Sequence, residues 1–227
     1  MNKNLTKRIF TSIILLTLLL FSIFFHKYLW LILIIVASII CFFEFSKLTK
    51  KIWEKNESFF YLVNIIFFLY LMFFAFTSYK IYSFPSKNYI IFVLFVCIFS
   101  DIGGYLIGKL IGGKKLTKIS PNKTISGSIG SFIFSLAPIV FFLTLYNYTG
   151  NFNYKLHNTF TVTIFITLIL SLINQTGDLF ISYFKRKAKF KDTGSILPGH
   201  GGLLDRIDGI IFAVPSFFII QKIFFNL

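Results

Sequence analysis

Seven long stretches almost free of charge govern what this chain can fold into. They run at about 9–25, 28–45, 59–77, 89–107, 128–145, 160–184 and 210–225. Each is close to the roughly 17–25 residues that carry a helix across a ~30 Å hydrocarbon core. None alternates apolar and polar residues as the strands of a membrane barrel do. The fold class expected is therefore all-α, a polytopic integral membrane protein of about seven transmembrane helices. Composition agrees: 56% of residues are hydrophobic and 14% charged, against about 25% charged in soluble domains. The first run follows Lys3, Lys7 and Arg8 but lacks a small-residue cleavage site ahead of His26 and Lys27, so it reads as a retained span. Cys41 and Cys97 fall inside apolar runs, which argues against a disulfide framework or a thiolate metal site.

The basic residues set an orientation. With the N-terminus cytoplasmic, that side receives three near the start, four at 47–55, five at 109–123 and six at 185–206. The opposite side receives five: Lys27, Lys80, Lys87, Lys155 and Lys222. This is the positive-inside pattern, and it expects the C-terminus outside. A net charge of +15 spread between apolar runs points to anionic headgroups and phosphate substrates rather than nucleic acid. The chain reads as one membrane domain, 1–227. Its 1–88 portion carries helices without a motif, and 89–227 carries the polar residues of interest. Residues 47–55 read as an interfacial loop with Trp53 at headgroup level, with Glu44, Glu54 and Glu57 beside it. The loops 79–88 and 146–158 carry no expected chemistry.

The charge that the apolar runs lack is concentrated at 182–208, SYFKRKAKFKDTGSILPGHGGLLDRID. Three of the chain's five aspartates lie there, Asp192, Asp205 and Asp208; the others are Asp101 and Asp178, at the ends of apolar runs. A carboxylate in such a place is expensive unless paired, hydrated or metal-bound. Asp205 and Asp208, three apart, share a helix face. With Asp178 they offer the oxygen ligands that a hard divalent cation such as Mg²⁺ takes, usually one or two carboxylates plus substrate phosphates. Gly199, Gly201 and Gly202 permit positive φ and close approach of N–H groups to an anion, or simply a tight turn. His200 either shapes that loop or contacts a phosphate or proton. The run 185–191 is either an anionic-lipid anchor or a phosphate-binding stretch. Ser120-Pro121-Asn122-Lys123-Thr124 offers hydroxyls and a lysine in a turn, without the order of a Walker A loop. Gly104, Gly108 and Gly112 have the small-xxx-small spacing of close helix packing.

Read whole, the segment resembles the signature of the phosphatidate cytidylyltransferase family, also called CDP-diacylglycerol synthases. Ser182, Lys185-Arg186, Lys191-Asp192, Gly194, Pro198, His200-Gly201-Gly202, Asp205-Arg206 and Asp208 fill that pattern with its spacing kept. Asp101-x-Gly-Gly-Tyr105, Ser120-Pro121-x-Lys123-Thr124 and Gly177-Asp178 look like the family's upstream elements. Ser126 stands where the family often has Glu or Gln before glycine, the one visible departure from its pattern.

The resemblance implies transfer of the cytidylyl group of CTP to phosphatidate, giving CDP-diacylglycerol and pyrophosphate, in the inner (plasma) membrane with the site facing the cytoplasm. It implies Mg²⁺, alone or with a second cation, on Asp178, Asp205 and Asp208, with Asp178 and Asp205 the first choice. Lys191, Asp192 and His200 join these acids as expected catalytic residues. Ser120, Pro121, Lys123, Thr124, Lys185, Arg186, Gly201, Gly202, Arg206 and Asp101 are the expected substrate-binding set. Its partners would be CTP, phosphatidate and membrane lipids, with no nucleic acid and a homodimeric assembly. A transporter using Asp101 and Asp178 as ion ligands would not need the run at 182–208. A CTP-using enzyme with another lipid acceptor stays open, and so does a plain surface anchor.

Overall fold

The computed structural model describes residues 3–83, 87–142 and 159–225, and over these the chain is helical with no strand. Its helices are α1 (Lys3–Phe25), α2 (Lys27–Ile52), α3 (Glu57–Ser83), α4 (Asn88–Ile111), α5 (Ile125–Ser135), α6 (Thr159–Lys187), α7 (Leu204–Ile207) and α8 (Ile210–Phe225). Six helices are long and apolar enough to cross a membrane, the fifth of them running Ile125–Phe142, and Ile210–Ile223 is a shorter apolar helix.

Parts of two expected loops are helix instead. α2 continues past residue 45 to Ile52 because Leu48 and Thr49 are buried. Thr49 Oγ1 donates back to Phe45 O and accepts from Asn64 Nδ2 on α3 at 2.9 Å. Lys47, Lys50 and Lys51 therefore sit on the last turns of a helix, where cations suit the exposed carbonyls. α3 likewise runs on to Ser83, since Thr77, Ser78 and Ile81 are buried and Tyr82 Oη donates to Ile23 O of α1 at 2.8 Å. The loop expected at 79–88 thus shrinks, and 84–86 with Pro85 lie outside the described residues. So do the loop expected at 146–158 and the end of the fifth span at 145. Between α1 and α2 a single extended residue, His26, makes the turn and accepts Tyr28 N–H.

α8 packs on α3, α4 and α6, and Ile211, Ala213, Val214 and Phe217 are buried there. Pro215 inside it leaves the carbonyl of Ile211 without its usual N–H donor. Tyr70 Oη of α3 donates to that carbonyl at 3.2 Å, which lets the proline sit within the bundle. Phe45 stacks on Phe67 with ring centroids 3.9 Å apart, and Phe184 and Phe212 of α6 and α8 extend the aromatic packing. Outward-facing Leu, Ile and Phe side chains cover the helices elsewhere, as a lipid-facing surface requires.

α4 and α5 approach closely along a seam of glycines. A Cβ on Gly130 would lie 2.5 Å from Ile107 Cβ, and one on Gly103 would collide with Phe134 and the Gly130 carbonyl. Gly104 and Gly108 face Ser131, Thr124 and Gly127 in the same seam. The glycine spacing therefore serves contact within the chain. Gly112 does not join it; it ends α4 at φ +65°, a left-handed turn that glycine adopts without strain.

The basic termini segregate as the charge pattern expects. Arg8 meets Gly199, Lys187 lies over Trp53, and Lys123 pairs with Asp178, all at one end. Lys27 and Lys87 lie beside Tyr28 and Phe24 near the α1–α2 turn, at the other.

Candidate active site

α6 stops where Lys189 turns left-handed at φ 60° and Phe190 N–H returns to Lys185 O at 2.9 Å. The chain then folds into a loop closed by Leu197 and Gly201, which bridge each other. Gly199 and Gly201 take positive φ there, 78° and 88°, a conformation that side chains resist. His200 reaches across to α1. Its Nδ1 lies 2.7 Å from Thr11 Oγ1 and its Nε2 3.3 Å from Ser12 Oγ, while Arg206 donates to its carbonyl. Arg8 Nε donates to Gly199 O at 2.8 Å, so α1 is fastened to this loop. Burial, then the charges of Arg206 and Arg8, hold His200 below its ordinary pKa.

Asp205 is the knot of the loop. One carboxylate oxygen accepts from Lys185 Nζ at 2.7 Å. The other accepts from Thr193 N at 2.8 Å and Gly202 N at 3.1 Å, and lies 3.0 Å from Thr193 Oγ1. The Lys185 and Asp205 side chains are only 11% and 6% exposed. The N–H of Gly202, expected to face an anion, thus faces the chain's own carboxylate.

A second acid cluster lies alongside. Asp178 on α6 pairs with Lys123, accepts from Ser182 Oγ one turn on at 3.2 Å, and shares a side-chain hydrogen bond with Asp208. The Lys123 and Asp178 side chains keep 28% and 30% of their exposure, so a solute can reach them. Burial, and then the neighbouring Asp178 charge, push Asp208 well above the ordinary carboxylate range. Asp101 of α4 accepts from Asn174 Nδ2 at 2.8 Å and is close enough to interact electrostatically with both acids. Among the described residues no three His, Cys, Asp or Glu side chains form a group able to hold a metal ion by themselves. Two neighbouring carboxylates beside a lysine do suit a hard cation that takes the rest of its ligands from phosphate and water.

Lys123 comes from the turn 120–123, which Lys123 N–H closes on Ser120 O at 3.1 Å. Thr124 is buried and caps α5, its Oγ1 accepting from Gly127 N at 3.1 Å. Ser126 donates to the Gly112 carbonyl, so the short hydroxyl at this position ties the turn to the end of α4. Pro121, Arg186, Lys191 and Asp192 are exposed. The structure thus gathers Asp178, Asp208, Asp101 and Lys123 in one place. It gives Lys185, Asp205 and Gly202 to the adjoining knot, and His200 to α1.

Sequence reasoning passed over Glu44, Asn174 and Thr193. Glu44 is 1% exposed and accepts from Thr193 Oγ1 at 2.8 Å, Leu203 N at 3.0 Å and Leu204 N at 2.8 Å. The signal was present: a lone carboxylate inside an apolar run is costly without internal partners.

Known proteins resemble this chain in sequence. The model of the cytidylyltransferase family matches residues 62–224. A Rickettsia typhi protein named phosphatidate cytidylyltransferase is 37% identical over 219 residues, 95% of this chain and 91% of that protein. Proteins of the same name from Staphylococcus saprophyticus and Staphylococcus aureus are 44% and 46% identical over 130 and 129 residues, 56% of this chain. The matched stretch spans about half, 46%, of those staphylococcal relatives.

Proposed function

The chain belongs to the cytidylyltransferase family, and from that premise we propose that it transfers the cytidylyl group of CTP to phosphatidate, giving CDP-diacylglycerol and pyrophosphate. The observation that carries this reading is the cluster of Asp178, Asp208 and Lys123 at one end of a membrane bundle. A phosphatidate oxygen attacks the α-phosphorus of CTP, a new P–O bond forms, and the bond to the bridging oxygen breaks. Pyrophosphate leaves with that electron pair. Two polyanions must meet in line, so positioning and charge neutralisation supply the catalysis.

Lys123 is placed to bind a phosphate oxygen once Asp178 exchanges its partner. Lys185, held rigid by Asp205, presents a second cation beside it, and Arg186, Lys191 and Arg206 add positive potential. Asp178 and Asp208 would hold Mg²⁺, which when bound supplies charge neutralisation on the phosphates. Asp205, with both oxygens engaged by the chain, acts in this reading by placing Lys185. The cytoplasmic face of the inner membrane, where CTP arrives through water and phosphatidate through lipid, is the setting proposed, with a homodimer as the assembly.

The test is incorporation of labelled CTP into lipid by the purified protein in phosphatidate-containing vesicles. Asp178→Asn and Asp208→Asn are expected to lower turnover by at least about a hundredfold, the scale of a lost preorganised charge group, while the protein still inserts. Unlabelled lipid with the unaltered protein, or near-normal turnover in either variant, overturns the reading. Ion flux across sealed vesicles without turnover would favour a transporter.

A further inference from the structure

Glu44 lies on α2, before the stretch that the family model matches, which begins at residue 62. It is a carboxylate buried in the bundle, and its partners are two backbone amides and a hydroxyl. Those partners are the two ends of the signature loop: Thr193 enters it, and Leu203 and Leu204 leave it. The same Thr193 hydroxyl stands 2.8 Å from Glu44 and 3.0 Å from Asp205, so the two acids meet at one residue and share its single hydroxyl proton. The loop is also shaped around Glu44. A Cβ on Gly194 would lie 2.5 Å from Glu44 Oε1, and one on Gly202 would collide with both Glu44 and Thr193. These two glycines have no positive φ; room for a carboxylate is what they provide.

We propose that Glu44 is a positioning residue for the cytidylyl transfer. It fixes the loop 193–204, and through it the places of Asp205, Lys185 and Asp208. The proposal rests on the function proposed above for its effect on turnover, and on geometry alone for its effect on the loop. Immobilising Leu203 and Leu204 sets where the following Asp205 and Asp208 stand. A carboxylate suits the task because it accepts from three donors at once, and such charge-assisted bonds are roughly twice as strong as neutral ones. In Glu44→Gln an amide nitrogen must face one of those donors, which breaks the grip at nearly unchanged volume.

The experiment compares the unaltered protein with Glu44→Gln and Glu44→Asp in detergent. One readout is hydrogen exchange of peptides spanning 193–204, with α4–α5 peptides as internal control; the other is the split of CTP turnover into kcat and KM. In Glu44→Gln the loop is expected to exchange at least about tenfold faster, the loss of one hydrogen bond to a charged group, with the α4–α5 peptides unchanged. Its kcat per folded molecule should fall more than its KM for CTP rises, and Glu44→Asp should recover part of kcat.

Unchanged loop exchange overturns the proposal. So does faster exchange with normal kcat and KM, which would make Glu44 merely structural. Should Glu44→Gln fail to insert, Thr193→Val removes the shared hydroxyl and is read in the same way. If the unaltered protein transfers nothing from CTP to phosphatidate, the proposed function falls, while loop exchange still decides whether Glu44 holds the loop.

Discussion

Replacing Asp205 by Asn separates the knot seen in the structure from the metal site expected from the sequence. Two backbone amides, Thr193 N and Gly202 N, converge on one oxygen, with the Thr193 hydroxyl 3.0 Å away, and Lys185 takes the other. Asparagine can keep its oxygen under these amides, but its NH₂ then faces the lysine ammonium. With side chains 11% and 6% exposed, the buried lysine charge loses its hydrogen-bonded partner. Removing one partner of such a buried pair costs about 3–5 kcal/mol. At roughly 2–4 °C per kcal/mol for a chain of this size, the expected loss is on the order of 10 °C in Tm. The assay is built in: Cys41 and Cys97 are free and fully buried, so a thiol-reactive dye reports unfolding in detergent. Adding Lys185→Met to Asp205→Asn should restore roughly 0.5–3 kcal/mol, the range of coupling between contacting residues. A purely metal-ligating Asp205 behaves differently, since its neutralisation without divalent cations relieves repulsion. A Tm within about 2 °C of the unaltered protein, or no recovery in the double variant, would refute the keystone role.

Two further outcomes follow from the packing and the loop. Gly130→Ala forces a Cβ into Ile107 and the Gly103 carbonyl, and should destabilise by about 1–3 kcal/mol, typical of overpacking, in the same dye assay. The contact of α1 with His200 should be pH-dependent. Its folded pKa is depressed, so the contribution is present above the ordinary value near 6.5 and lost as pH falls through the lowered one. Spin labels at Phe10 and Ile196 should therefore separate between about pH 7.5 and pH 5, and His200→Gln should abolish the change. Equal distances at both pH values would refute it.

The apolar runs by themselves determined an all-helical membrane protein, because only a helix of that length satisfies its backbone in hydrocarbon. The fixed spacings at 182–208 determined its family and the polar segment that carries the chemistry. Lengths were less legible: α2 and α3 overrun their expected ends because Leu48, Thr49 and Ile81 find partners on other helices. Helix faces were also hidden, since lipid is as apolar as a neighbouring helix and packing leaves no hydrophobic contrast to read. The pairing of acids was decided only in three dimensions. Asp205 and Asp208 share a helix face in principle, yet one turns to Lys185 and Thr193 and the other to Asp178. Glu44 meets Leu204 across 160 residues of sequence. No local periodicity encodes such a contact, because it exists only once α2 and the signature loop are packed together.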